Sequence, residues 1–297
     1  MVYSKLKHFK PNIFFGLLLL HILGIIGVYI ILCSGSWFSL TIHLMILNNI
    51  AGFGITGGVH RLWAHRSYKA TLPLKIILWV CCCFANQGSL IHWARDHRTH
   101  HKGSDTTADP HNVNNGFWFS HIGWLWYTKH PDVIKKSNGL NYDDLNNDAV
   151  VWLDRVLYPY PHLIVSYIIP TIYGKYMFDS YAIGFFVLGE LRWLIISHIT
   201  WCVNSIAHTF GDKPYRDIKS SQNLLVSILA VGEGWHNFHH AYPFDYRAAE
   251  LPWYIQINIT TLLLNGFSKI GWAYDLKTVP QHIVEKDKEE LLLKKKE

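Results

Sequence analysis

The chain has 297 residues; half are apolar, 15% aromatic and only 16% charged, where soluble domains carry about a quarter. It is too oily for an ordinary soluble enzyme and too polar for a bare bundle of spans, which leaves several spans carrying one aqueous head. The net charge of +6 suits anionic membrane surfaces, phosphate-bearing ligands or an acidic protein partner, and no basic stripe or recognition motif points to nucleic acid.

In chain order, the first apolar run covers residues 13–33, long enough to cross a bilayer. Lys5, Lys7 and Lys10 precede it and place the N-terminus in the cytosol. No small-residue cleavage site follows, so the run reads as an anchor, with any N-terminal extension before it short or absent. A linker over 34–36 without Lys or Arg leads to a second run, 37–55, completing a helical hairpin. The third run, 72–91, contains Lys75 and ends in Asn86, Gln87 and Gly88. A single crossing there would put His60 and His65 on one face and His97, His100 and His101 on the other. If those histidines share a site, the run is re-entrant, interfacial or buried in protein.

Residues 95–154 are polar, and two further spans are expected over 162–176 and 181–203. The remainder is polar again, with an amphipathic stretch near 253–267. The expectation is an all-α integral membrane protein forming one domain over 1–297. It has four transmembrane helices, both ends in the cytosol and a cytosolic head built from about 56–160 and 204–297. The basic clusters Arg61/Arg66, Arg95/Arg98/Lys102, Lys213/Arg216 and Lys294–Lys296 all fall on the cytosolic side of this scheme. The cysteines Cys33, Cys81, Cys82, Cys83 and Cys202 sit in apolar stretches without C-x-x-C spacing, as free thiols would.

Histidine is the outlier, with 19 in the chain. Three clusters stand out: His60-Arg-Leu-Trp-Ala-His65, His97-Arg-Thr-His100-His101 and His236-Asn-Phe-His239-His240. H-x-x-H-H on a helix presents its imidazoles on one face, whereas H-x-x-x-x-H is better served by a helix end. Imidazole suits zinc, copper, iron and nickel, and eight histidines exceed the four ligands of a tetrahedral zinc. Two metals sharing the set is the simpler account. With almost no cysteine or carboxylate inside the clusters, an iron–sulfur site or a carboxylate-bridged bundle does not fit. Of the other histidines, His8, His162 and His282 read as solvent or interface residues. His21, His43 and His198 read as hydrogen-bonding groups between membrane helices. His92, His111, His121 and His130 read as supports for the site, with Asp96 or Glu233 as orienting carboxylates.

At these residues the sequence resembles the membrane fatty acyl-CoA desaturases of the stearoyl-CoA desaturase family. The resemblance runs through the first cluster, Trp93-Ala-Arg-Asp-His97-Arg-Thr-His-His101-Lys, Ala108-Asp-Pro-His-Asn112, Trp201-Cys-Val-Asn-Ser-Ile-Ala-His208 and Gly232-Glu-Gly-Trp-His-Asn-Phe-His-His240. It implies a ninth ligand, His208, and a tenth group, Asn204, reaching a metal through water. It also implies two iron ions, activation of dioxygen and formation of a cis double bond, delta-9 by analogy. Asn12, Arg95, Asp96, Lys129 and Trp201 match positions that contact acyl-CoA, with Gln87 and Trp93 near the thioester. Asn48 and Gly52 fall where the acyl tunnel closes; the family commonly has a tyrosine and a small residue there. Gly88 and Thr128 also depart from the family pattern at positions expected to touch CoA. Lys219-Ser-Ser-Gln222 resembles an insect signature. No flavin, nicotinamide or fused cytochrome b5 motif is present, so the resemblance implies electrons from a separate cytochrome b5 and its reductase, in the endoplasmic reticulum membrane. The terminal lysines fit a retrieval signal. A histidine-rich di-iron hydroxylase acting on acyl chains or alkanes is the nearest alternative. A zinc transporter would place its ionisable groups at mid-membrane, and an inactive homologue would not need every ligand position filled.

Overall fold

The computed structural model describes residues 9–295; His8, Lys5, Lys7 and Lys296, invoked above, lie outside them. Helix α1 (Pro11–Cys33) is apolar on every side, and Phe15, Ile25, Tyr29 and Leu32 point outward from the protein. A helix with no polar face that is not buried in protein belongs in lipid. Its one protein-facing strip is set by Gly27, where a Cβ would meet the carbonyl oxygen of Phe186 at 2.3 Å. Only glycine lets the two backbones approach so closely, and packing of this kind drives helix association in membranes.

Helix α2 (Trp37–Phe53) runs without a break into a π-helix, Gly54–Ala64. Helices α3 (Leu72–Ala85) and α4 (Leu90–Gly103) meet at an 84° bend, with Asn86 in the left-handed region at φ 49° and Gly88 at φ 101°. The third apolar run therefore breaks instead of continuing as one straight helix, and the two flanking histidine clusters come together. A carboxylate holds the bend from outside. Asp154, 1% exposed, accepts the Leu90 backbone N–H at 2.7 Å and the Trp79 indole N–H at 2.8 Å. It thus caps α4, whose own N-cap side chain makes no capping bond, while gripping α3. The His162 ring donates to the same carboxylate at 2.7 Å. That corrects the expectation for His162, which is fully buried and not at an interface.

Among the described residues three single helices are long and apolar enough to span, Pro11–Cys33, Trp37–Ala64 and Ile183–His208, and the bent pair α3–α4 passes the same test only when taken together. The helix over residues 160–178 has outward Ile164, Ile168, Ile169 and Ile172. Tyr160, Pro161, Pro170 and Lys175 dilute its apolar character, and it falls short of the composition that marks the other three. Below the spans, short helices and a two-residue antiparallel pairing of Lys69–Ala70 with Ala273–Tyr274 close the head. The expected amphipathic stretch becomes the helix Ile259–Lys269, burying Thr260, Thr261 and Leu264.

Candidate metal centre

His60 and His65 are five residues apart, about 140° around an α-helix. The π-helix solves this. Its wider turn closes i to i+5 bonds, and the His65 N–H donates to the His60 carbonyl at 3.0 Å, bringing the two rings edge to face with centroids 4.8 Å apart. The cluster does end a helix, as expected, but the π-geometry before that end aligns the ligands. Helix α4 supplies His97, His100 and His101, and the short helix His236–Ala241 supplies its three histidines. His208 ends the last long helix.

The nine histidines divide into two groups. His60, His65, His97, His101 and His239 form one; His100, His208, His236 and His240 form the other. In the first, Nε2 atoms lie 3.1 Å apart for His60 and His239, 2.9 Å for His239 and His101, and 2.8 Å for His65 and His97. In the second they lie 3.2 Å apart for His100 and His240, 3.1 Å for His240 and His236, and 3.0 Å for His208 and His236. One imidazole nitrogen carries either a proton or a lone pair, so it cannot hydrogen-bond well to two others at once. Yet the Nε2 atoms of His239, His240 and His236 each face two. A metal–nitrogen bond of about 2.1 Å puts ligands at right angles about 3.0 Å apart. These spacings fit convergence on a metal, and the donor set fits the redox metals that imidazole binds.

The rear nitrogens explain the orientation. Asp109 Oδ1 lies 2.9 Å from His100 Nδ1, Glu233 Oε2 3.1 Å from His60 Nδ1, and Asp105 Oδ1 3.3 Å from His208 Nδ1. The Asp109 contact is a hydrogen bond, which fixes the His100 ring and its tautomer, and the other two carboxylates lie close behind their rings. Glu233 also receives Arg61 at 2.8 and 3.0 Å. Burial alone would raise the Glu233 carboxyl, but Arg61 and then His60 outweigh it and bring it to about 2. Burial also works against Asp109 as a charged group, yet His100 and His111 hold it below the usual carboxylate range. The rings of His236, His239 and His240 are pushed well below the ordinary histidine value, first by burial and then by neighbouring rings. Neutral imidazoles, the metal-binding form, are therefore favoured at neutral pH.

Sequence reasoning anticipated Glu233 but missed the roles of Asp105, which carries no local signal beyond being acidic, and of Asp109, which stands in a motif quoted for the family resemblance. Asp96 does not orient a ligand; it pairs with Lys129, with His92 at 3.4 Å. Arg61 is no loop cation, being 1% exposed. Among the supporting histidines, His111 sits 4.3 Å from His100 between ring centroids, whereas His121 bonds to His198 and Ser205 away from the ligands. His21 and His198 bridge two helices at 3.0 Å, as expected, but His43 bonds within its own helix.

Both histidine groups border one narrow apolar cavity. Its other walls include Gly52, Ile55, Trp93, Ile196, Val203 and Val231, with Thr56, Thr200, Asn204 and Glu233 as polar wall groups. Trp93 stacks on His97, and the Gln87 side chain donates to Thr200 at 2.8 Å. Asn48 is one turn before Gly52, with a buried carbonyl oxygen that has no partner. Arg95, Asp96 and Lys129 share a separate surface recess with His92, and Arg95 lies over the Tyr142 ring. Lys10, read in the sequence only as a charge before the first span, lies near them: burial and then Lys129 lower its pKa, while Asp96 raises it. Asn12 is exposed on the first turn of α1, and Trp201 is buried against His198 and His121.

A helical membrane protein with two histidine groups suited to metal binding at an apolar cavity is the class these features define. The chain belongs to the fatty acid desaturase family, whose sequence model matches residues 34–277. It is 46% identical to an acyl-CoA Delta-9 desaturase of Acheta domesticus, over 90% of this chain and 74% of that protein. It is 42% identical to an acyl-CoA Delta12-desaturase of the same organism, over 90% and 74%. Stearoyl-CoA desaturase 2 of Rattus norvegicus is 42% identical over 94% of this chain and 77% of its own length.

Proposed function

We propose that the chain is an acyl-CoA desaturase that introduces a cis double bond, at the delta-9 position, using dioxygen and two electrons. The observation that carries this reading is the apolar cavity with both histidine groups in its wall. A saturated chain threaded there would present unactivated methylenes to two metal pockets. His60, His65, His97, His101 and His239 hold one iron; His100, His208, His236 and His240 hold the other, with Asn204 contributing through water. Zinc has no redox chemistry, and breaking such C–H bonds requires an oxidant, which favours iron. Bound iron supplies the means of activating dioxygen.

The protein's own residues do the positioning. Trp93 and Gln87 stand where the thioester enters, and Arg95, Asp96, Lys129, Lys10 and Asn12 form the polar surface for the CoA head group, with Trp201 packed behind. Asn48 and Gly52 close the far end. Removing two hydrogens while dioxygen becomes two waters leaves two electrons to be supplied, here by cytochrome b5 and its reductase at the basic face. Four spans, counting the helix over 160–178, put both termini in the cytosol, and the membrane is that of the endoplasmic reticulum. The delta-9 assignment draws on the cricket relative of that name; the delta-12 relative from the same organism shows that overall similarity does not fix the position.

Expression in a yeast lacking its own desaturase, followed by mass spectrometry of double-bond adducts, tests the reaction and the position together. New cis-monoenes are expected. Hydroxylated acids would move the protein to the hydroxylase reading. Folded, iron-loaded protein that makes no product with cytochrome b5 present would overturn the assignment.

A further inference from the structure

The helix Leu224–Leu229 ends in a turn that contradicts its own sequence. The Gly232 N–H reaches back to the Ser227 carbonyl at 2.8 Å and the Ala230 N–H to Val226 at 2.8 Å, a closure that puts the intervening residue in the left-handed region. Glycine, or sometimes asparagine, ordinarily takes that place. Here it is Val231, at φ 48°, and a β-branched residue is among the worst suited to it. The next residue is a glycine with positive φ, so a glycine pair would have made the same turn without strain.

What holds the valine there is specific. Its carbonyl accepts the Thr260 backbone N–H at 3.1 Å and the Thr260 hydroxyl at 2.9 Å. With its proton so used, the Thr260 oxygen accepts from Thr56 at 2.6 Å, and Thr56 itself lines the apolar cavity. Val231 is 3% exposed, and its isopropyl group stands in the cavity wall, packed directly beside Gly52. A Cβ on Gly52 would come within 3.1 Å of Val231 Cγ2 and 3.6 Å of Ile196 Cδ1. Strained residues held by their surroundings cluster where the strain serves the site.

We infer that Val231 is a specificity-determining residue, held in a strained left-handed turn so that its side chain closes the cavity against Gly52 and limits the acyl chain admitted. The inference rests on the acyl-chain reading of this cavity. Without the isopropyl group the wall recedes beside Gly52, and a longer chain fits.

Three variants test it, assayed in the desaturase-deficient yeast with saturated acyl chains of increasing length and by thermal unfolding of the purified protein. V231G and V231A both remove the bulk, whereas V231I adds a methyl. One methylene in an apolar pocket changes relative rates by about tenfold or more. The two smaller variants should shift preference toward longer chains by about that factor, and V231I toward shorter ones. At an ordinary helical position glycine is less stable than alanine; at a left-handed one the order reverses. V231G should therefore unfold at a higher temperature than V231A, an order that loss of packing alone does not give. An active wild type with an unchanged chain-length profile in all three variants overturns the inference, as does V231G melting below V231A. A wild type that makes no unsaturated product instead removes the functional reading beneath it.

Discussion

Among single residues, the histidines differ by which pocket they serve, although two of the sequence clusters contribute to both. His100 belongs to the four-histidine group and His239 to the five-histidine group. His100→Ala and His239→Ala should each abolish turnover and lower the bound metal while the protein still inserts in the membrane. Metal analysis beside product analysis checks this, and normal activity in either variant would remove the ligand assignment. Asp109 acts one step back, through His100 Nδ1. Asp109→Asn should weaken metal binding by about 10–100-fold, read by competition with a chelator, and unchanged affinity would mean the ring is held without it. Asn48→Tyr fills the space one turn from Gly52 with a ring and should shift products toward shorter chains. An unchanged spectrum would place the closed end elsewhere.

Among elements, two departures from regular α-helix assemble the site. The π-helix Gly54–Ala64 brings residues five apart onto one face, and the bend between α3 and α4 returns His97, His100 and His101 to it. Asp154 is the fastening of that bend. Each buried group left without a partner costs about 1–3 kcal/mol, and Asp154→Ala leaves the Leu90 N–H, the Trp79 N–H and the His162 ring without theirs. A loss of about 3 kcal/mol or more is expected, together with lowered metal content although every histidine is intact. Thermal unfolding in detergent checks the first and metal analysis the second; an Ala variant that melts with the wild type would show that the bend holds itself.

For the whole molecule, the buried histidines couple folding to pH. Burial and neighbouring rings depress His236, His239 and His240 in the folded state, while in the unfolded chain they titrate near about 6.5. As pH falls below that value the unfolded state takes up protons first. The metal-free protein should therefore be most stable above about pH 6.5 and lose stability progressively below it. Unfolding temperatures of chelator-stripped protein across that range would show this, and a rise on acidification would contradict it. Bound metal favours the neutral rings further, so the loaded protein should tolerate acid better than the stripped one.

The sequence by itself determined the chemistry. Ligand pairs lie within one or two helical turns, so H-x-x-H-H spacing and apolar runs of spanning length were legible from local rules, whereas the break at 86–88 followed only from supposing that the flanking histidines share a site. Only the tertiary structure decided how the ligands are shared: the five-histidine pocket draws on all three clusters, and the other takes one histidine from the second, two from the third and His208 from the end of a span. Lone His208 has no local pattern and came only through family resemblance. Asp105 and Asp154 look like ordinary surface acids until the chain places them behind a histidine or a helix end. Arg61 reads as a topological charge until Glu233, 172 residues away, is seen to neutralise it. Local spacing is set by the helix repeat, whereas these roles depend on burial and on partners distant in the chain, which folding alone brings together.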